Sequence, residues 1–375
     1  MTPAVPTALL ADRLRRAGEV AADQDVELLL ITPGSDLRYL IGAGGESHER
    51  LTCLLVPAAG HLAPPAIIVP RLEAPGLAAL GLEDLGVEVI TWKDGEDPYL
   101  LLSDLAGVPT RVAVTDTMPA VHVFGMRHAL PDAAQFLAGP IIRELRIRKD
   151  AAEVAELRAA GAAIDRVHAR MAEFLKVGRT EAQVGADIAA AIVEEGHTSA
   201  AFVIVGSGPN GASPHHDVSD RVIGTGDMVV IDIGGPLPSG YNSDCTRTYA
   251  VGAEPAASVR EAYAVLQAAQ ELSVTSVRPG VTAEQVDAAA RGPITDAGLG
   301  ERFIHRTGHG IGLDVHEDPY IVGGNARTLE PGMAFSVEPG LYLDGEWGAR
   351  IEDIVVVTET GVERLNNRSH DLVVL

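Results

Sequence analysis

The sequence predicts an α+β chain of two domains, and three observations carry that expectation. At 375 residues the chain exceeds the usual size of one domain. Up to about Pro140 it alternates short apolar runs with helix-like segments, the pattern of a small α/β domain. From Phe202 onward it changes to strand-like runs broken by tight glycine turns, the pattern of antiparallel hairpins.

The elements follow in chain order. The opening stretch "MTPAVPTALLADRLRRAGEV" interleaves its arginines with apolar residues after a short apolar patch. That reads as an amphipathic helix, since a secretory signal would carry its basic residues first. "VELLLITP" (Val26–Pro33) and "ERLTCLLVP" (Glu49–Pro57) are apolar runs bounded by Gly and Pro, and read as strands. "HLAPPAIIVPRLEAPGLAAL" adds a strand and a helix, and "GVEVITW" and "TRVAVTD" complete a βα pattern expected to form a mixed sheet covered by helices. The longest helical signal runs from Arg143 to Leu175, with Val154, Leu157, Ala160, Ile164, Val167 and Met171 on one face. The cluster Arg143, Arg146, Arg148 and Lys149 before it reads as a solvated linker, and the boundary is placed there, giving domains 1–142 and 143–375. A further helix opens at Thr180 with a capping-box spacing to Gln183. "MVVIDIGG", "DCTRTYAVG", "MAFSVEPGLY" and "ARIEDIVVVTETG" are strand-like, interrupted by a helical block between Ala256 and Gly298.

Composition narrows the partners. The formal net charge of −23 argues against nucleic acid and anionic membranes, which need a positive surface. The two cysteines, Cys53 and Cys245, are far apart and form no CxxC, so a reducing cytoplasm is expected. The longest apolar region, "LTCLLVPAAGHLAPPAIIVP", is broken by prolines, a glycine and a histidine, and no membrane span is expected.

Paired carboxylates give the first chemical signal. In "MVVIDIGGPLPSGYNSDCTRT" a hairpin centred near Pro238 puts Asp232 directly opposite Asp244. In "VEPGLYLDGEWGARIE" a turn centred at Gly345 puts Glu338 opposite Glu352. Opposed residues share a face, so two hairpins embedded in apolar runs would each present two carboxylates. Buried uncompensated carboxylates are expensive, and a shared cation is the simplest remedy. Add His309, from "RTGHGIGLDVHEDP", and the donor set suits Mn²⁺, Fe²⁺, Co²⁺ or Zn²⁺ better than Ca²⁺. Four carboxylates can also bridge two metals. "GSGPNG" (Gly206–Gly211) matches a dinucleotide fingerprint, but no helical pattern follows it, so that reading is set aside.

"VIVGSGPNGASPHH", "VVIDIGGPLPSGYNSDCTRTYAVG", "HRTGHGIGLDVHEDP", "MAFSVEPGLY" and "ARIEDIVVVTE", in that order, resemble the motifs of the pita-bread metallopeptidases, within the group of Xaa-Pro dipeptidases (prolidases) and Xaa-Pro aminopeptidases. The resemblance implies a C-terminal pita-bread catalytic domain preceded by a smaller creatinase-like α/β domain, and a homodimer. It implies two divalent ions, Mn²⁺ foremost with Co²⁺, Zn²⁺ or Fe²⁺ as alternatives, held by Asp232, Asp244, His309, Glu338 and Glu352, with Asp244 and Glu352 bridging. It implies hydrolysis of the Xaa-Pro bond of dipeptides or short peptides by a metal-bridging hydroxide. Glu338 would double as general acid/base, His215 and His316 would contact substrate, and Arg350 would orient ligands or substrate. The 232–244 turn is one residue longer than in many members. Xaa-Pro aminopeptidase action on longer peptides, or a non-catalytic binding role on the same fold, are the alternatives. His216 and His305 read as packing or supporting residues, His48 as a surface loop residue, and Cys245 as a small buried apolar group. Arg327 is a candidate partner for a substrate carboxylate.

Overall fold

The apolar runs of the N-terminal region are the strands of one mixed sheet. In the computed structural model, which describes residues 5–61 and 63–375, they are β1 (Leu28–Ile31), β2 (Cys53–Pro57), β3 (Ala66–Pro70), β4 (Glu88–Trp92), β5 (Arg111–Val114) and β6 (Ala134–Leu137). Residues 1–4 of the N-terminal stretch, and 62 before β3, lie outside the described residues. The strand order is β4-β3-β2-β1-β5-β6, with β1 antiparallel to β2 and parallel to β5. Leu30, Cys53, Ile68, Val112 and Met126 form part of the core beneath this sheet. The arginine-bearing N-terminal segment is a helix, Thr7–Asp23, that buries Leu10, Leu14, Ala17 and Ala21 at three- and four-residue steps. β6 is the strand the pattern did not announce: as an edge strand it leaves Ala134, Phe136 and Leu137 exposed, so no alternation marks it.

The chain divides into two compact units, Met1–Arg146 and Ile147–Leu375. The long helical signal is three helices, Gly139–Arg146, Ala151–Ala169 and the short Met171–Phe174, rather than one. The reason is local. Asp150 leaves the helical region and its carboxylate accepts from Ala152 N–H (2.8 Å) and Glu153 N–H (2.9 Å), while Glu153 accepts from Asp150 N–H, a capping box that starts a new helix. The apolar face holds, with Leu157, Ala160, Ile164, Val167 and Met171 buried. The capping box at Thr180 and Gln183 is also present and opens the helix Glu181–Glu194.

The second unit carries three sheets. β7 (Phe202–Ser207), β8 (Met228–Pro236), β9 (Asn242–Ala250) and the C-terminal β17 (Val373–Val374) form a four-stranded sheet ordered β17-β9-β8-β7. β10 (Gly308–Gly310), β11 (Glu317–Ile321), β12 (Ala334–Val337), β15 (Asp353–Val357) and β16 (Val362–Arg364) form a second, ordered β11-β10-β12-β15-β16. β13 (Gly340–Leu343) and β14 (Trp347–Arg350) form a two-stranded hairpin. The helices Ala151–Ala169 and Glu181–Glu194 cover the first sheet through Ile164, Val167, Val184 and Ile188 against Val229, Ile231 and Ile233. "GSGPNG" ends in a 3-10 turn, Gly208–Ala212, so no helix dipole is available there for a pyrophosphate.

Candidate metal centre

The β8–β9 hairpin brings the first two carboxylates together, but in a register different from the expected one. Asp232 pairs with Thr246, and Asp244 pairs with Gly234. The turn is centred on Ser239, not Pro238, because Gly240 adopts φ +93° and closes the loop with its N–H on Leu237 O (2.8 Å). A glycine at that left-handed position closes a five-residue loop, residues 237–241, between the paired Pro236 and Asn242. Shifting the pairing by two leaves both aspartates on one face, now as diagonal neighbours. It also puts Thr246 directly across from Asp232.

The second acidic pair follows the expected register. Gly340 pairs with Arg350 and Val337 with Asp353, so the same alignment, centred on Gly345 (φ +74°), sets Glu338 across from Glu352. β10, paired between β11 and β12, carries His309 into the same place. Its flanking glycines have a different purpose from simple clearance around the imidazole. A Cβ at Gly308 would overlap the Ser336 carbonyl, and one at Gly310 would overlap the Asp318 carbonyl. They let β10 lie close between its neighbours, and that seats His309.

The resulting cluster is buried: Asp232, Asp244, His309 and Glu352 are 8, 4, 3 and 1% exposed. Ligand atoms of Asp244, His309 and Glu352 all lie within 4.8 Å of one another, a spacing that could hold a metal ion. His309 Nδ1 faces the Gly310 carbonyl at 3.0 Å, and a carbonyl only accepts, so Nδ1 carries the proton. Nε2 is then aimed at Glu338 Oε1 (3.2 Å) and Asp244 Oδ2 (3.6 Å). A lone pair facing carboxylate oxygens is repulsive, so this geometry requires a second proton or a metal ion at Nε2. Ser336 organises the pair: its hydroxyl accepts from His309 N–H (3.0 Å) and donates to Glu338 Oε1 (3.0 Å).

Burial, reinforced by the neighbouring Glu352 and Asp232, pushes the Asp244 carboxyl well above the usual range. Burial and then Glu338 and Asp232 do the same to Glu352. Burial also pushes Glu338 up, but the hydrogen bond and charge of His309 outweigh it and hold its carboxyl below the usual range. Asp232 Oδ1 and Glu352 Oε1 are buried and have no hydrogen-bond partner. Orphaned, mutually repelling oxygens around one imidazole fit a divalent cation, which would neutralise the charge and satisfy both atoms.

Arg350, 2% exposed, stands behind the cluster. Nη2 donates to Asp232 Oδ2 (2.6 Å), Nε to Thr246 Oγ1 (3.1 Å), and Nη1 to Tyr342 Oη (2.8 Å) and the Pro214 carbonyl (3.3 Å). Thr246 donates its hydroxyl to Glu352 Oε2 (2.8 Å). Because Tyr342 accepts from Arg350, its hydroxyl donates to His305 Nε2 (2.8 Å). His316 packs edge-on against His309, ring centroids 4.1 Å apart. Burial, then the His309 charge, lowers it to about 4, with a smaller contribution from Arg306. His215 is exposed and follows Pro214, whose carbonyl accepts from Arg350. Thr246, Ser336 and Tyr342 escaped the sequence reading, although Thr246 lies two residues past Asp244 and Ser336 two before Glu338, on the same strand faces. Elsewhere, His216 is held by Glu181, Cys245 is buried, and His48 is exposed in the N-terminal unit. Arg327 lies in the connection between β11 and β12, where its carbonyl accepts from Ala283 N–H at the start of the helix Ala283–Asp296.

Residues 155–359 match the metallopeptidase family M24, and residues 13–148 match the creatinase/prolidase N-terminal domain. The chain belongs to metallopeptidase family M24: a creatinase-type N-terminal domain followed by a pita-bread catalytic domain, and an enzyme of the hydrolase class. It is 56% identical to the probable dipeptidase PepE of Mycobacterium tuberculosis over 366 residues, 97% of this chain and 96% of that one. It is 35% identical to the Xaa-Pro dipeptidase of Lactobacillus helveticus, over 94% of this chain and 96% of that one. The crystal structure of dipeptidase PepE from Mycobacterium ulcerans superposes with a TM-score of 0.93 at 56% identity, covering 99% of each chain. No helix among the described residues is long and apolar enough to cross a membrane.

Proposed function

We propose that this protein is a metal-dependent Xaa-Pro dipeptidase that cleaves the bond before proline in dipeptides or short peptides. The observation that carries the proposal is the cluster of His309 with four carboxylates, three of them buried and Glu338 nearly so, with two orphaned oxygens. The relatives named dipeptidase and Xaa-Pro dipeptidase support the substrate class.

Asp232, Asp244, His309, Glu338 and Glu352 would hold two divalent ions, with Mn²⁺ the first choice for an oxygen-rich set with one imidazole. When bound, such ions supply Lewis acidity and activation of water. The residues do the rest. Thr246 and Arg350 keep Glu352 and Asp232 oriented, and Ser336 sets the Glu338 carboxylate. Glu338 takes a proton from the attacking water and delivers it to the proline nitrogen. That delivery is essential, because a tertiary amide has no N–H and its nitrogen leaves only when protonated. His316, kept neutral chiefly by burial, can donate one hydrogen bond to the scissile carbonyl, and His215 would contact the substrate beside it. A homodimer, and a reducing compartment for two buried free cysteines, complete the reading.

The test is a metal-supplemented assay of Xaa-Pro dipeptides against Xaa-Pro-Yaa tripeptides, with products identified. Release of free proline from dipeptides is expected. Cleavage of tripeptides alone would replace this reading with an Xaa-Pro aminopeptidase, and activity surviving Asp244→Ala would remove the metal mechanism.

A further inference from the structure

We propose that Glu181 is a positioning residue that holds the loop bearing His215 against the metal centre, using His216 as its grip; the proposal rests on the reading of His215 as a substrate contact. Glu181 is fully buried at the first position of the helix Glu181–Glu194, away from the metal cluster. A carboxylate there is costly unless its oxygens are satisfied. They are satisfied by four residues that bracket the loop between β7 and β8. Ser207, the last residue of β7, donates its N–H (2.8 Å) and hydroxyl (2.6 Å) to Oε1. Ser219 donates its hydroxyl (2.5 Å) and N–H (3.3 Å) to Oε2. Asn210 donates its amide to both oxygens at 3.1 Å. From the middle of the loop, His216 Nε2–H donates to Oε2 at 2.8 Å.

The same helix end holds the loop through its backbone, since Glu181 N–H donates to Arg221 O (3.1 Å) and Ala182 N–H to Ser219 O (2.9 Å). Arg221 donates to Ser207 Oγ (2.5 Å), placing a positive charge one hydroxyl from the carboxylate. The loop is therefore tied at its start, its middle and its end to one buried anion. Its other face meets the centre: Arg350 donates to the Pro214 carbonyl (3.3 Å), and the adjacent His215 is exposed. Between Pro214 and His216, only His215 is left to the substrate. Glu181 touches neither metal ligands nor substrate, so it acts by fixing where that imidazole stands.

The test compares His216→Ala, His216→Gln, Glu181→Gln, His215→Ala and the His215/His216 double alanine variant, using an Xaa-Pro dipeptide and elemental analysis of bound metal. His216→Ala should raise KM roughly tenfold while changing kcat by less than about threefold, the signature of lost positioning on the binding side. Metal content should not change. His216→Gln, which keeps a donor of similar reach, should recover most of the KM. Glu181→Gln turns one acceptor oxygen into a donor facing other donors and should raise KM at least as much. The double variant should be no worse than His215→Ala, because His216 acts through His215; a general structural role would instead give multiplying losses. Wild-type KM in His216→Ala and Glu181→Gln, with His215→Ala impaired, overturns this proposal alone. Wild-type kinetics in His215→Ala overturns the reading beneath it. If Glu181→Gln does not fold, the His216 pair decides.

Discussion

His168 makes a stability prediction that can be worked from the structure. It lies on the helix Ala151–Ala169, 2% exposed, with Nε2–H donating to the Cys245 carbonyl (3.1 Å) and Nδ1 accepting from the Tyr249 hydroxyl (3.0 Å). Both partners are on β9, the strand that carries Asp244 and Thr246, so this imidazole fastens the back of the ligand strand to the helix. Burial, then the positive charges of Arg247 and Arg368, lower its pKa from 6.5 to about 3. The folded protein therefore keeps it neutral, while the unfolded chain takes up a proton below pH 6.5. The unfolded state binds more protons throughout the window from 6.5 down to about 3, so stability is full above 6.5 and is lost as pH falls through it. At pH 5, about 1.5 pH units below the unfolded value, the loss is about 2 kcal/mol at ~1.36 kcal/mol per unit. The perturbation is His168→Gln, which keeps a donor toward Cys245 and cannot titrate. The assay is urea unfolding of chelator-treated protein at pH 8 and pH 5, read from Trp347 in a Trp92→Phe background so that the signal reports the second unit. The parent protein should lose about 2 kcal/mol more than the variant between these pH values. Equal losses in both proteins would show that His168 is not held neutral and would refute the reasoning.

Two further predictions concern the centre. Thr246→Val removes the hydroxyl that joins Arg350 to Glu352 and should weaken metal binding by about 10–100-fold, measured by equilibrium dialysis and elemental analysis. Unchanged affinity would mean that Glu352 needs no such support. Gly308→Ala forces a methyl group into the Ser336 carbonyl and should destabilise the fold by about 1–3 kcal/mol, with reduced metal occupancy because β10 seats His309. A variant with unchanged melting temperature and metal content would show that the strands can part without cost.

Much of this protein is written locally. The amphipathic spacing from Leu157 to Met171 buries its face in the structure, with Val154 only half-buried, and five of the six strands of the N-terminal sheet stand where apolar runs are bounded by Gly and Pro. The motif order alone points to the M24 fold. The Glu338–Glu352 register is also legible, because Asp344-Gly345 signals the turn and Gly345, at the centre of a three-residue loop between Leu343 and Trp347, takes a positive φ. What failed locally failed for nameable reasons. The edge strand β6 shows no alternation, and the apolar pattern over Arg143–Leu175 runs unbroken across Asp150, where the capping box starts a new helix.

The sequence determines which residue types are present and which strand faces they occupy, since side chains alternate with a period of two whatever the rest of the chain does. Only the tertiary structure decides that the two acidic hairpins and β10 converge, that Asp232 faces Thr246 rather than Asp244, and that Arg350 reaches Asp232, Thr246, Tyr342 and Pro214 at once. It also decides the purpose of the glycines around His309, which depends on carbonyls supplied by Ser336 and Asp318. Glu181 is the clearest case. In the sequence it is one acidic residue opening a helix, and its four side-chain partners lie 26 to 38 positions away. A hydrogen-bond network is a property of distances between segments, and no local pattern records those distances.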